Sequence, residues 1–183
     1  MAQQPDLDNG VAGAWPVGVS MNEVGRSGLD RRFIAEGPAL VHIATALDLQ
    51  ALKSLQAKLN VSPWLDGVQI TGRWSAVVEQ ICGVTLDPFE SALAGELDLR
   101  LVPPGSAALG TTPDHELELD PEADDPPDLL DGDFIPLGAY VVEDLSLAID
   151  PFPRKPGAEF EAPAGPAEPS PFAVLARLKD RQP

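Results

Sequence analysis

The sequence predicts an α+β fold, in which a small antiparallel β-sheet is packed by one or two helices. Two observations predict the sheet: apolar residues recur at every second position from Gly67, and the alternation resumes between Leu93 and Leu101 after a short connection. Two such strands with a short connection pair antiparallel. A third observation, apolar residues at helical spacing elsewhere in the chain, supplies helices that would cover one face.

The N-terminal part is expected to begin with a flexible arm over residues 1–15. Two short strands are then predicted, at 16–20 and 29–36, because apolar residues there flank a turn that contains two glycines. These strands open an α+β domain that we assign to residues 16–150.

The first helix is predicted from Asp48, which suits an N-cap, to Leu59. Leu52, Leu55 and Leu59 recur at helical spacing and would form its apolar face. The apolar face of the next strand would pack against it, and consists of Val68, Ile70, Trp74, Ala76 and Val78. Gly72 interrupts this face and indicates a bend or bulge.

The C-terminal part alternates between structured and unstructured stretches. Residues 105–131 lose periodicity and are predicted to be a disordered acidic insert within the domain. A second helix should follow and end before Pro151, because apolar residues recur there at four-residue steps: Leu137, Val141, Leu145 and Ile149. Residues 151–169 are expected to be a Pro-rich linker, and 170–181 a short C-terminal helix.

The net charge of −17 is concentrated in one part of the chain, since residues 105–133 carry ten acidic residues and no basic one. Wide contact with nucleic-acid phosphates requires cations, so the charge disfavours a simple nucleic-acid binder. It favours a basic partner, while a solvated linker is the alternative interpretation of such a run.

No catalytic or metal-binding set is predicted. Cys82, the single cysteine, continues the inward face of a strand and is interpreted as a buried, inert thiol. His42, expected just before the first helix, is interpreted as a structural histidine and not as a general base. His115 lies in the acidic block and lacks a second histidine at metal-ligand spacing. The sequence has no phosphate loop, dinucleotide fingerprint or nucleophile elbow. We therefore expect no cofactor and no enzyme; a thiol or hydrolytic enzyme would instead lose function on Cys82→Ser.

The predicted location is the cytoplasm. The N-terminus lacks the basic and apolar regions of a signal peptide. No apolar run approaches the roughly 20 residues that span a bilayer.

Two stretches, 80–89 (QICGVTLDPF) and 150–157 (DPFPRKPG), resemble the YceD family in their order and in the acidic segment between them. The resemblance runs from residue 16 to 156 and includes the tail 170–179. Proteins of this family are associated with accumulation of large-subunit ribosomal RNA in bacteria and plastids. Many relatives carry a second cysteine shortly after the first; here that region reads Val-Thr-Leu, so neither a metal site nor a redox pair is expected.

The resemblance implies a non-enzymatic factor in ribosome assembly that binds a ribosomal protein or an rRNA precursor. A basic protein is the preferred partner, contacted by acidic residues that include Asp120, Glu122 and Asp124. RNA contact through a local basic strip is the other possibility; its residues would be Arg31, Arg32, Arg73, Arg154 and Lys155. A generic interaction adaptor unrelated to ribosomes is the alternative function.

The C-terminal helix is a candidate docking element, with Phe172, Leu175 and Leu178 spaced to enter a groove of a partner or of this domain. Four aromatic residues could in principle stack on bases, but core packing is the preferred interpretation for them: Trp64, Trp74, Tyr140 and Phe152.

Overall fold

A five-stranded β-sheet dominates the part of the chain that the computed structural model describes, residues 13–109 and 126–160. In chain order the elements are β1 (Val19–Ser20), β2 (Leu29–Ile34), α1 (Pro38–Ala46), β3 (Ala51–Trp64), β4 (Gly67–Ile81), β5 (Pro88–Val102), β6 (Asp128–Leu129), β7 (Phe134–Ile135) and α2 (Leu137–Ala148). The sheet order is β2-β3-β4-β5-β6, with only β6 running parallel to its neighbour, and β1 pairs separately with β7. The α+β class is confirmed, and the sheet is larger than predicted.

The two long strands predicted from alternation are present as β4 and β5. They pair antiparallel without a register break, from Val68 opposite Leu101 to Ile81 opposite Pro88. The residues predicted to point inward on β4 are all buried: Val68, Ile70, Trp74, Ala76 and Val78. The inward leucines of β5 are buried or pack against the core: Leu93, Leu97, Leu99 and Leu101.

The helix predicted over 48–59 is wrong, because most of these residues form β3. This strand pairs antiparallel with β2 on one side and with β4 on the other. Leu55, Ala57 and Leu59 are each at most 2% exposed, whereas Gln56 between them is exposed. Burial therefore follows the two-residue period of a strand.

A register shift explains why β3 carries leucines at helical spacing. Its pairing with β4 shifts between Leu52 and Ser54, so Leu52 and Leu55 both lie on the buried face although three positions separate them. Leu52 lies opposite Val78, and Leu55 lies opposite Ala76. The predicted leucines do lie next to the buried residues of β4. They are neighbours within one sheet, however, and not residues of a helix packed on its face.

Helix α1 lies about ten residues before the predicted one. It begins at Pro38, which occupies the first turn, where a proline costs no hydrogen bond. Ile43 and Ala44 are buried, and the helix packs against β3. His42, expected just before the first helix, lies within α1 and is exposed.

The second predicted helix is confirmed as α2, which packs against β5 and ends at Ala148. Its start is held by the N-terminal chain: the Gly138 N–H donates to the Val17 carbonyl oxygen at 2.8 Å. A Cβ on Gly138 would collide with the Trp15 carbonyl oxygen. Trp15 is 3% exposed and contacts Phe33 edge-on, so ordered structure begins before the predicted boundary at residue 16.

Several predicted segments lie partly or wholly outside the described residues. The predicted insert 105–131 has a 3₁₀ turn at Ala107–Leu109 near its start and strand β6 near its end. Residues 110–125, between them, are not among the described residues. The linker 151–169 is described only to residue 160, and the helix 170–181 is not described. No helix in the described ranges is long and apolar enough to cross a membrane.

Candidate functional site

Residues 80–89, which connect β4 to β5, fold tightly around Cys82. The Cys82 N–H donates to the Asp87 carbonyl oxygen at 2.9 Å, and the Leu86 N–H donates to the Cys82 carbonyl oxygen at 2.9 Å. Leu86 closes the loop with a φ of +60°. That left-handed conformation costs a residue with a Cβ about 1–2 kcal/mol. The surrounding hydrogen bonds therefore hold a strained turn in place.

Residues 150–157, which follow α2, pack against this loop. The Gly83 N–H donates to the Pro153 carbonyl oxygen at 2.9 Å. Gln80 is 7% exposed, and its Nε2 donates to the Asp150 carbonyl oxygen at 3.2 Å. The fold thus joins two segments that are about 70 residues apart in sequence. We call the loop and this segment together the junction.

The Cys82 sulfur lies between the two segments of the junction and is fully buried. It accepts hydrogen bonds from the backbone N–H groups of Val84, Thr85 and Lys155, each at 3.4 Å. The Thr85 side chain and these N–H groups lower the pKa of Cys82 to about 6, although burial opposes the shift. These hydrogen bonds therefore favour the ionised form of the sulfur, which lies away from solvent.

The burial of Cys82 is confirmed, whereas sequence reasoning missed its lowered pKa. Two of the donors, Val84 and Thr85, come from the same loop, but the third is 73 residues away at Lys155. No local pattern indicates that a distant N–H will meet this sulfur.

The solvent-facing part of the junction is both apolar and basic. Leu86 is 75% exposed and Phe152 is 81% exposed. Arg154 is exposed, and Lys155 Nζ lies 3.7 Å from the Asp87 carboxylate. The interpretation of Phe152 as a core residue is wrong, because the segment is fixed by backbone hydrogen bonds and leaves this ring in solvent.

The five predicted cations do not form one basic strip. Arg31 lies on the helix-covered side of β2 and forms a 3.2 Å ion pair with Glu23. Arg32 and Arg73 point to the opposite face of the sheet, because strand positions alternate. The remaining two, Arg154 and Lys155, belong to the junction. Sequence reasoning missed a further cation on the face opposite the helices, Lys58, because β3 was predicted to be a helix.

The other predicted aromatic residues occupy three environments. Trp74 is 2% exposed, as expected for the core. Tyr140 packs against the core, and burial, with the nearby Asp128, raises its pKa to about 12. Trp64 is half-buried, with the Arg100 guanidinium 5.3 Å from its ring centre.

The remaining candidate contact residues lie outside the described part of the chain, together with His115: Asp120, Glu122, Asp124, Phe172, Leu175 and Leu178. Within residues 13–109 and 126–160, no group of three or more His, Cys, Asp or Glu side chains could hold a metal ion.

Fold and junction together define an α+β domain in which two distant segments meet around a buried thiol. A family model described as "Large ribosomal RNA subunit accumulation protein YceD" matches residues 70–179, more than half of the chain. The chain therefore belongs to the YceD family, and both junction segments fall within the matched range. No curated protein and no solved structure matches the chain.

Proposed function

We propose that this protein supports the accumulation of large-subunit ribosomal RNA as a non-enzymatic binding factor, which contacts a ribosomal protein or an rRNA precursor through the junction. One observation carries the proposal. Two segments of the family match fold together and leave Leu86, Phe152 and Arg154 exposed. The description of the family supplies the connection with large-subunit rRNA.

The exposed side chains suit a contact surface on energetic grounds. Covering an apolar side chain contributes about 25 cal/mol for each Å² removed from water, so Leu86 and Phe152 would both favour a partner. Arg154 can donate bidentate hydrogen bonds to either a carboxylate or a phosphate. Pro153 and Pro156 restrict the backbone on both sides of the basic pair, so little conformational entropy is lost on binding.

Support for binding rather than catalysis comes from the environment of Cys82. A nucleophile must reach its substrate, and this sulfur has no exposed surface and is surrounded by three N–H donors. The thiol is better placed to hold the two junction segments together. We assign it a structural role in shaping the contact surface.

Both partner classes fit the charge of the molecule in different ways. A net charge of −17 favours encounter with a basic protein such as a ribosomal protein. Arg154 and Lys155 would suit an rRNA phosphate if the partner is RNA. Either partner would be present on a precursor of the large ribosomal subunit.

Sedimentation of cell extracts and crosslinking pull-downs, read for both protein and RNA, test the proposal. The wild-type protein should travel with large-subunit precursors, and F152S should reduce this fraction severalfold. Leu65→Ser is the matched control, since Leu65 is 74% exposed but lies in the β3–β4 turn at the other end of β4. It should sediment like wild type.

Deletion of the gene should lower the amount of mature large-subunit rRNA relative to small-subunit rRNA. Unchanged rRNA levels, together with no recovery of ribosomal protein or rRNA, would overturn the proposal. Recovery of a non-ribosomal protein that depends on Phe152 would instead identify the junction as the surface of a generic adaptor.

A further inference from the structure

Three cations lie in one line across the sheet face opposite the helices. Arg32 of β2 pairs directly with Lys58 of β3, and Lys58 pairs directly with Arg73 of β4. All three side chains are exposed. Neighbouring strands lie about 4.8 Å apart, so the two outer positions are separated by about 10 Å. We call these three residues the cation row.

The cation row is poorly neutralised by the described residues. Arg32 donates to the neutral Gln56 Oε1 at 3.2 Å. Arg73 lies 3.7 Å from Glu96, and both of these side chains are more than three-quarters exposed, so the ion pair is weak. Lys58 has neither a hydrogen bond nor an ion pair within this part of the chain. Like charges on directly opposite strand positions destabilise a sheet, and an anion placed over the row would relieve the repulsion.

Open depressions with neutral hydrogen-bonding groups flank the row on both sides. One has a volume of about 560 Å³ and is also lined by Gln56 and Ser75. The other has a volume of about 470 Å³ and is also lined by Asn60 and Thr71. These side chains can donate hydrogen bonds to phosphate or sugar oxygens. The face thus offers cations in the centre and polar groups at either side.

Acidic side chains limit the length of the row. Glu96 of β5 lies directly opposite Arg73 and ends the line on that side. Asp30 and Asp98 lie on the same face, where they accept hydrogen bonds from Asn60 at 2.9 Å and from Gln69 at 2.7 Å. A polyanion that crosses this face would therefore contact cations over a short distance only. The three cations allow about three phosphate contacts.

We infer that the cation row binds the phosphate backbone of RNA, which crosses β2, β3 and β4 without its bases being read. The choice of RNA among polyanions rests on the proposed function. Base reading on a sheet uses exposed aromatic platforms, and Trp74, the aromatic residue among those that line the two depressions, is only 2% exposed. The net charge of −17 does not cancel the site, because fields are screened within about 8 Å at physiological salt.

Fluorescence anisotropy with the full-length protein and a labelled oligouridine of about 16 nucleotides tests the inference. Three phosphate contacts predict a slope of log K against log salt of about −2, or roughly 20-fold weaker binding between about 50 and about 200 mM salt. K58Q/R73Q should reduce the slope to about −0.7, which is roughly a threefold loss over the same range. The double variant R26Q/K53Q removes the same charge at positions that line neither depression, and it should keep the wild-type slope.

Equal slopes for wild type and K58Q/R73Q, or an equal loss in both double variants, would overturn the inference. Binding of polyglutamate in a Lys58-dependent manner without any binding of RNA would also overturn it, and would assign the row to an acidic protein. The charge-preserving K58R/R73K should retain the wild-type slope. Thermal unfolding should show K58Q/R73Q to be as stable as wild type, since it removes like-charge pairs.

The test of RNA binding by the cation row and the test of the proposed function can fail independently of each other. Absence of RNA binding in vitro would leave a role in rRNA accumulation through the junction intact. Unchanged rRNA levels after gene deletion, together with no recovery of ribosomal protein or rRNA in pull-downs, would overturn that role, while a contact between the cation row and RNA measured in vitro would remain.

Discussion

The Trp74 indole Nε1 donates a hydrogen bond of 2.6 Å to Oδ2 of Asp144, which ties the centre of β4 to α2. Gly95 of β5 lies directly opposite Trp74, and its lack of a side chain makes room for this pair. A Cβ at Gly95 would approach the Asp144 carboxylate to 2.6 Å and the indole ring to 2.7 Å. One polar contact therefore joins α2 to β4, and Gly95 of β5 leaves the space for it.

Trp74→Ala should lower the free energy of unfolding by about 3–5 kcal/mol, because a large buried side chain leaves a cavity. Asp144→Ala should cost about 1–3 kcal/mol, since the indole N–H loses its partner. Asp144→Asn, whose amide oxygen can still accept the hydrogen bond, serves as the control and should cost less. Urea unfolding measures all three. A wild-type midpoint for Trp74→Ala would contradict the packing described above.

Gly72→Ala should lower the free energy of unfolding by about 1–3 kcal/mol through overpacking. Gly72 of β4 has Leu59 of β3 opposite it, and a Cβ there would collide with the Lys58 carbonyl oxygen. Gly25→Ala is the matched control, because nothing lies within 4 Å of its Cβ position. Its free energy of unfolding should change by less than about 0.5 kcal/mol. Equal stability of the two variants would mean that β3 and β4 do not approach at Gly72.

Cys82 should make the protein more stable as the pH rises. The folded state lowers the thiol pKa from 9.0 to about 6, so between these values the folded chain holds a thiolate while the unfolded chain binds the proton. The free energy of unfolding contributed by Cys82 therefore increases from about pH 6 to pH 9, and is lost as the pH falls through 6. Urea unfolding of wild type and Cys82→Ala across this range measures the difference.

The comparison with Cys82→Ala removes the contribution of all other titrating groups, because both proteins share them. Parallel stability curves would show that the sulfur is not a thiolate in the folded state. Alkylation of native Cys82 should nevertheless be slow, since the residue has no exposed surface. Rapid labelling would contradict the buried position of the sulfur.

Leu86→Gly should raise the free energy of unfolding by up to about 1 kcal/mol, because glycine adopts a positive φ without strain but loses more entropy on folding. Leu65→Gly provides a close control, since Leu65 has a φ of +50° and is 74% exposed. The two variants should gain similar stability. Only Leu86→Gly should weaken recovery of large-subunit precursors, and an equal effect of both on recovery would argue against the junction.

The sequence by itself was sufficient for features that depend on local side-chain period. The alternation in β4 and β5 placed Trp74 and Leu101 on the buried face, and the four-residue steps placed Leu145 in α2. Residue order in 80–89 and 150–157 was also enough to indicate the family. Each of these signals is contained in a short window of the chain and needs no knowledge of its neighbours in space.

The register of β3 was decided only by the tertiary structure. Leu52, Leu55 and Leu59 satisfy helical spacing, and a strand accommodates them because a bulge after Leu52 shifts its pairing with β4. The helix prediction failed because hydrogen bonds to two neighbouring strands outweigh a weak local preference.

Both proposed surfaces depend on the same long-range pairing. Cys82 meets the N–H of Lys155 only when the end of β4 and the chain after α2 come together. Lys58 lies between Arg32 and Arg73 only because β3 is central to these three strands. Side-chain period tells which face a residue occupies, but which residues share that face is set by backbone hydrogen bonds between segments far apart in sequence.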